Sequence, residues 1–171
     1  MIEILWLGRG GQGAFTAAKL LGAAFVEQKQ NAYALAFPSF GPERRGAPVR
    51  AFTKLDENPV SDRSETEQAD YIILLDETLY VPTLRQKLKA NGKILLNSKH
   101  TVSDTVTFDG TEIAKQFRLP TVNTIMLGVL AGYSSIISPD AVKASIEHYL
   151  PEKIREKNIQ AVLHTIQEVL K

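Results

Sequence analysis

The 171-residue chain contains no cysteine. It therefore carries no disulfide framework, no thiolate nucleophile, no Cys-ligated zinc and no iron–sulfur cluster held by its own side chains. Histidine is nearly as scarce. His100, His148 and His164 are scattered, with no i,i+4 pair, which argues against a local His-based metal site. An excess of one charge is also missing. Twenty Lys+Arg stand against nineteen Asp+Glu, a net +1, so no global field draws in nucleic acid or an acidic membrane. No apolar run approaches the roughly 18–20 residues of a membrane-spanning helix. The first residues read as a strand rather than a basic-then-apolar leader, so no secretory signal is expected. These absences predict a cytoplasmic protein with neither nucleic acid nor membrane as partner. What is present, 44% hydrophobic and 23% charged residues, suits a single domain over 1–171 that buries roughly 70% of its unfolded surface.

Residues 2–7 are rich in β-formers and predict a short buried strand. Gly8-Arg9-Gly10-Gly11-Gln12-Gly13 follows. Residues 14–28 then read as a helix whose apolar face (Ala17, Ala18, Leu20, Leu21, Ala24, Phe25) is interrupted by Lys19. Strands are predicted over 33–37 and 49–55. Between them, residues 38–48 hold three prolines, two glycines and two adjacent arginines, a loop of fixed geometry. Residues 56–68, with five acids and one Arg, read as a solvated excursion with a hairpin at Asn58-Pro59. The apolar run 71–75 suits the centre of a parallel sheet buried on both faces. A helix is predicted over 79–90, stopped by Asn91-Gly92. Short strands at 94–96 and 105–108 and a short helix at 111–117 follow. Residues 123–134 are apolar nearly all round and belong inside. Ser138-Pro139 caps a helix to about Leu150, and the tail from Glu152 carries a helical apolar stripe. Strands alternating with helices predict an α/β, Rossmann-like domain with a mostly parallel twisted sheet flanked by helices.

Gly8, Gly10 and Gly13 satisfy G-x-G-x-x-G between a predicted strand and a predicted helix, the context in which backbone N–H groups can face an anion. An NAD site would also need an acid at the end of strand two. That strand ends Ala34-Leu35-Ala36-Phe37 without one, and no Gly-Lys-Ser/Thr follows the loop to make a P-loop. A structural turn remains open, as does an anion or partner contact to which Arg9 and Gln12 add donors. The loop Phe37-Pro38-Ser39-Phe40-Gly41-Pro42-Glu43-Arg44-Arg45-Gly46-Ala47-Pro48 is the least generic segment. Arg44 and Arg45 offer forked donors for carboxylate or phosphate, and Phe37 and Phe40 are expected to be exposed beside them, as in a docking loop. The plainer alternative is a surface loop in which Glu43 pairs an arginine. Asp76 is expected to cap a helix, His148 and His164 to sit on the surface or in packing, and Gly128 and Gly132 to permit close helix packing. No Ser–His–Asp or paired-carboxylate arrangement stands out.

Gly8 through Ala14, continuing into Thr16-Ala17-Ala18-Lys19-Leu20-Leu21, resembles the opening of the gamma subunit of 2-oxoacid:ferredoxin oxidoreductases, in the pyruvate/ketoisovalerate branch. Phe40 through Arg50 resembles that family's second motif. Ala69-Asp70-Tyr71 through Asp76 and Asn123-Thr124-Ile125-Met126-Leu127-Gly128 extend the likeness over most of the chain. The resemblance implies a non-catalytic subunit of a multi-chain enzyme that oxidatively decarboxylates a 2-oxoacid, pyruvate in this branch, with CoA as substrate and ferredoxin as electron acceptor. Alpha, beta and delta-type subunits are the implied partners and carry the thiamine diphosphate and iron–sulfur clusters; none is expected on this chain. Gly8, Arg9, Gly10, Gly11, Gln12, Gly13, Glu43, Arg44 and Arg45 become candidates for CoA phosphates or a subunit interface. A stand-alone nucleotide-binding regulatory domain and an NAD-dependent dehydrogenase are the rival readings.

Overall fold

A computed structural model describes residues 1–39 and 44–171. Its centre is a six-stranded sheet in the order β2-β3-β1-β4-β5-β6, built from β1 (Ile2–Arg9), β2 (Tyr33–Pro38), β3 (Pro48–Asp56), β4 (Ala69–Leu74), β5 (Leu88–Asn97) and β6 (Val106–Phe108). The β1–β4, β4–β5 and β5–β6 pairs are parallel. β3 runs the other way, antiparallel to both β1 and β2. The sheet is thus mostly parallel, as expected. The runs ILW and YIIL pack both faces of its centre: Ile4, Trp6, Ile72 and Ile73 are fully buried.

One face carries the five α-helices of the described residues: α1 (Ala14–Gln28), α2 (Gly110–Gln116), α3 (Asn123–Ser134), α4 (Pro139–Tyr149) and α5 (Glu152–Leu170). Ile4, Trp6, Leu55, Ile73 and Leu95 from the sheet meet α1 and α3 there, with α4 and α5 joining the same core. Trp6 Nε1 donates to Thr53 Oγ1 (3.1 Å), which donates to the Ala18 carbonyl (3.0 Å), so the buried polar atoms between sheet and α1 are partnered. The opposite face, with Leu5, Phe52, Ile72, Leu74, Ile94 and Leu96, is covered by Leu79, Tyr80, Leu84 and Val102 from turns and loops. No described α-helical residue joins that cluster.

This one-sided layering corrects the helix expected over 79–90. The segment forms two short 3-10 turns, Glu77–Leu79 and Pro82–Lys87, and Leu88 then enters β5. Pro82 starts the second turn, and the pull of sheet pairing on 88–97 leaves no room for a long helix. Asn91-Gly92 is not a helix stop. It lies in a register break, where Ala69 pairs with Leu88 but Tyr71 pairs with Lys93, and a Cβ on Gly92 would sit 2.8 Å from the Ala69 carbonyl oxygen. Residues 57–68 contain no hairpin. Asp56 Oδ1 instead accepts from the Asn58 N–H (2.9 Å) to make a local turn, and the segment is tied to the sheet by ion pairs from Asp62 to the buried Lys54 and from Glu65 to Arg50. Phe37, expected outside, is 2% exposed and stacks on Phe52 at 5.1 Å, because its position on β2 faces the second core.

Candidate functional site

The glycine loop and the arginine loop form one unit. β1 runs through Gly8 and Arg9, and the chain continues straight enough for Gly10 to bridge to Arg45. Gly10 N–H donates to the Ala47 carbonyl (2.8 Å), and the Gly10 carbonyl accepts from Gly46 N–H (3.1 Å). A Cβ on Gly10 would lie 2.3 Å from the Arg44 carbonyl oxygen, so only glycine permits this approach. The loop then turns through Gly11 (φ 91°) to Gly13 (φ 82°) at the head of α1. A Cβ on Gly13 would collide with the Asn123 side-chain amide at 2.4 Å. Asn123 Nδ2 donates to the Gly13 carbonyl (3.2 Å) and its Oδ1 accepts from Thr121 Oγ1 (2.8 Å). The N-terminus of α3 is thereby joined to the N-terminus of α1.

Arg9 and Gln12 are committed within the chain. Gln12 Oε1 accepts from Arg9 N–H (2.7 Å), and Gln12 Nε2 donates to Asp76 Oδ2 (3.1 Å). The Arg9 guanidinium donates to the Gly46 carbonyl (3.1 Å) and Thr78 Oγ1 (2.9 Å) and pairs with Asp76 at 3.4 Å. Asp76 also caps the 3-10 turn by accepting from Thr78 N–H (3.0 Å). Partial burial works to raise the Asp76 pKa. The hydrogen bonds from Thr78 and Gln12 and the Arg9 charge outweigh it and hold the carboxyl below its ordinary value. The capping role read for Asp76 is therefore present, inside a larger knot that ties β1, the arginine loop and the end of β4.

Arg44 and Arg45 are exposed and line a cleft of about 640 Å³ with Gly10, Gly11, Gln12, Pro120 and Thr121. No carboxylate lines it among the described residues. Glu43 and Phe40 lie outside the described residues. A second cleft of about 440 Å³, beyond the carboxyl ends of β4 and β5, is lined by Asp76, Glu77, Asp109 and Glu112 against Lys99 and Lys115. Those acids disfavour a polyphosphate there, so the arginine cleft is the better anion site. A dinucleotide is poorly served at either. Dinucleotide-binding sheets place strand two beside strand one, whereas here β3 lies between them, and the bare face of Gly10 is occupied by the Arg44 carbonyl.

The nine sequence candidates thus divide. Gly8, Arg9, Gly10, Gln12 and Gly13 build the junction, Gly11, Arg44 and Arg45 face its cleft, and Glu43 is not described. Asn123, Thr121 and Asp76 are structural members that the sequence reading left out of the site. The sequence signal for Asn123 is its place at the start of an apolar helix, where a polar residue buried to 8% exposure needs a partner. His148 contacts Glu27 at 2.8 Å and His164 packs on Phe117, both remote from the junction.

A family model described as pyruvate ferredoxin/flavodoxin oxidoreductase (POR) matches residues 3–168. The chain is 42% identical to the pyruvate synthase subunit PorC of Methanothermobacter thermautotrophicus over 100% of this chain and 97% of that one. It is 35% identical to the pyruvate/ketoisovalerate oxidoreductases common subunit gamma of Pyrococcus abyssi, covering 98% and 97% of the two chains. The crystal structure of the pyruvate oxidoreductase subunit PORC from Thermotoga maritima superposes with a TM-score of 0.81 at 31% identity, covering 97% of this chain and 95% of that one.

Proposed function

Because the chain belongs to the pyruvate ferredoxin/flavodoxin oxidoreductase family, we propose that it is the gamma subunit of a cytoplasmic 2-oxoacid:ferredoxin oxidoreductase, of the pyruvate class, and that it supports the CoA-dependent step from the arginine cleft. The near-complete mutual coverage with relatives named as PorC and as a common gamma subunit supports the subunit assignment. Alpha, beta and delta-type chains complete the enzyme, and ferredoxin accepts its electrons. A chain without a thiolate cannot ligate an iron–sulfur cluster, so the clusters, with the thiamine diphosphate, belong to those partners. The role of this chain is then to bind and orient.

The observation that carries the CoA reading is the placement of two exposed guanidinium groups beside a glycine turn at the head of α1. Arg44 and Arg45 make no ion pair among the described residues, and the turn presents them beside the positive end of a 15-residue helix. Two forked donors at one rim suit the phosphates of CoA. The helix dipole by itself supplies only about 0.3–1 kcal/mol, so the arginines must provide most of the anchoring. The test is the Arg44→Ala/Arg45→Ala pair in the assembled enzyme. A KM for CoA raised by a factor of ten or more corresponds to a loss of at least about 1.4 kcal/mol, and it is expected with melting of the lone subunit within about 0.5 kcal/mol of wild type. Unchanged CoA kinetics with weakened assembly would reassign the pair to an interface.

A further inference from the structure

The arginine cleft does not end at Pro120 and Thr121. Both residues also line a neighbouring cleft of about 310 Å³ on the α5 side. Its floor is apolar, made by Leu119, Leu150 and Ile154, and Ile154 is 41% exposed on an otherwise amphipathic helix. Its rim carries Arg118, Lys153 and Lys157. Among the described residues no Asp or Glu lines it, and none of the three cations makes an ion pair. In a chain of net charge +1, three cations around one apolar floor are a local concentration of charge. Glu152 and Glu156 share α5 but do not line the cleft, and Glu156 instead accepts from Gln160 (3.2 Å).

Arg118 adds an independent observation. It follows the end of α2 with φ 55°, a left-handed backbone conformation. Leu119 N–H closes back on the Ala114 carbonyl (2.8 Å), and Arg118 N–H reaches the Lys115 carbonyl (3.2 Å). Glycine is the favoured residue where a helix ends this way. The position holds instead a long cation at the rim of the cleft, tolerating backbone strain to do so.

We propose that this cleft seats an acidic segment of another polypeptide in the assembled enzyme. An apolar side chain of that segment enters over Ile154, Leu119 and Leu150, and its carboxylates meet Arg118, Lys153 and Lys157. The inference rests on the subunit reading above and adds the surface and the chemistry of the partner. An apolar floor favours a peptide over an inorganic anion, because burying Ile154 rewards an apolar anchor that phosphate lacks. Lys153 and Lys157, one helical turn apart on α5, stand about 5–6 Å apart at Cβ. They match carboxylates spaced along a chain better than the oxygens of one compact group.

The experiment compares the wild-type complex with one carrying Arg118→Glu/Lys153→Glu/Lys157→Glu in this subunit. A charge-matched control carries Lys87→Glu/Lys93→Glu/Lys171→Glu on other exposed surfaces. Partner chains recovered with the tagged subunit are quantified from low to high salt. The expected result is recovery reduced about tenfold or more by reversal at the cleft, since like charges across an interface repel strongly, with the control unaffected. Wild-type recovery should fall as salt rises. Lys153→Arg/Lys157→Arg, which keeps the charge, should assemble normally, and the melting temperature of the lone reversed subunit should stay near wild type. Undiminished assembly of the reversed chain, or normal assembly with only a changed CoA requirement, overturns the inference while leaving the subunit reading intact. A wild-type chain that recovers no partner overturns both.

Discussion

Gly10 shows how a dinucleotide-like pattern can serve a different purpose. Its missing side chain makes room for the chain's own Arg44 carbonyl, 2.3 Å from where a Cβ would be, and not for a pyrophosphate. Gly10→Ala must push backbone against backbone. Such overpacking typically costs about 1–3 kcal/mol, and for a chain of this length each kcal/mol lowers Tm by about 2–4 °C. Thermal melting of the variant should show that loss, and an unchanged Tm would mean that the two loops are not joined here. Asp76 gives a prediction in pH. Its folded pKa lies below the ordinary 3.8, so its contribution is complete above that unfolded value and is lost as pH falls towards the folded one. Melting followed from pH 7 to pH 3 should therefore show an acid-side loss in wild type that is shallower in Asp76→Asn. Equal slopes would remove Asp76 from the knot.

At the scale of elements, α3 and α5 pack through the bare faces of Gly128 and Gly132. Cβ atoms there would come within 3.2 Å of Thr165 Cβ and 3.0 Å of Val169 Cβ, and within 3.2 and 3.3 Å of the Val162 and Ile166 carbonyls. The glycine pair in an apolar helix announced this contact in the sequence, since small residues four apart leave a groove on one side. Gly132→Leu has no space to fill without separating the helices, and a destabilisation of about 1–3 kcal/mol or more is expected by chemical denaturation. A near-neutral result would mean that α5 shifts freely. The segment at 79–90 teaches the opposite lesson. Leu84 and Leu88 stand four apart, as on one face of a helix, yet with Leu79 they cover the second face of the sheet from 3-10 turns and the start of β5. Local periodicity recorded which residues are buried there, but pairing with β4 decided the backbone that buries them.

For the whole molecule, the absence of cysteine, together with membership of a family whose named relatives are subunits, leads to a functional expectation. The purified chain given a 2-oxoacid, CoA and a viologen dye should show no turnover until partner subunits are added, and turnover by the chain alone would refute the non-catalytic assignment. The same chain should bind NAD without low-micromolar affinity in a calorimetric titration. Strand two ends without an acid, and β3 separates it from β1. The described helices include none long and apolar enough to cross a membrane.

Composition and local pattern sufficed for the α/β class, for β1, α1 and α3–α5, and for the breaks in the chain after β1 and after β2, because hydrophobic period, caps and glycine or proline punctuation act over a few neighbouring residues. The family likeness was equally legible, since it rests on contiguous motifs. Sheet order, the one-sided layering of the helices and the meeting of the two loops required tertiary structure. Gly10 and Arg45 are 35 positions apart, and Gly13 and Asn123 are 110 apart. Nothing local in Arg9, Gln12 or Asn123 states which distant backbone group each will satisfy. Long-range pairing of strands brings those groups together, and only then does the need to partner every buried polar atom select the contacts.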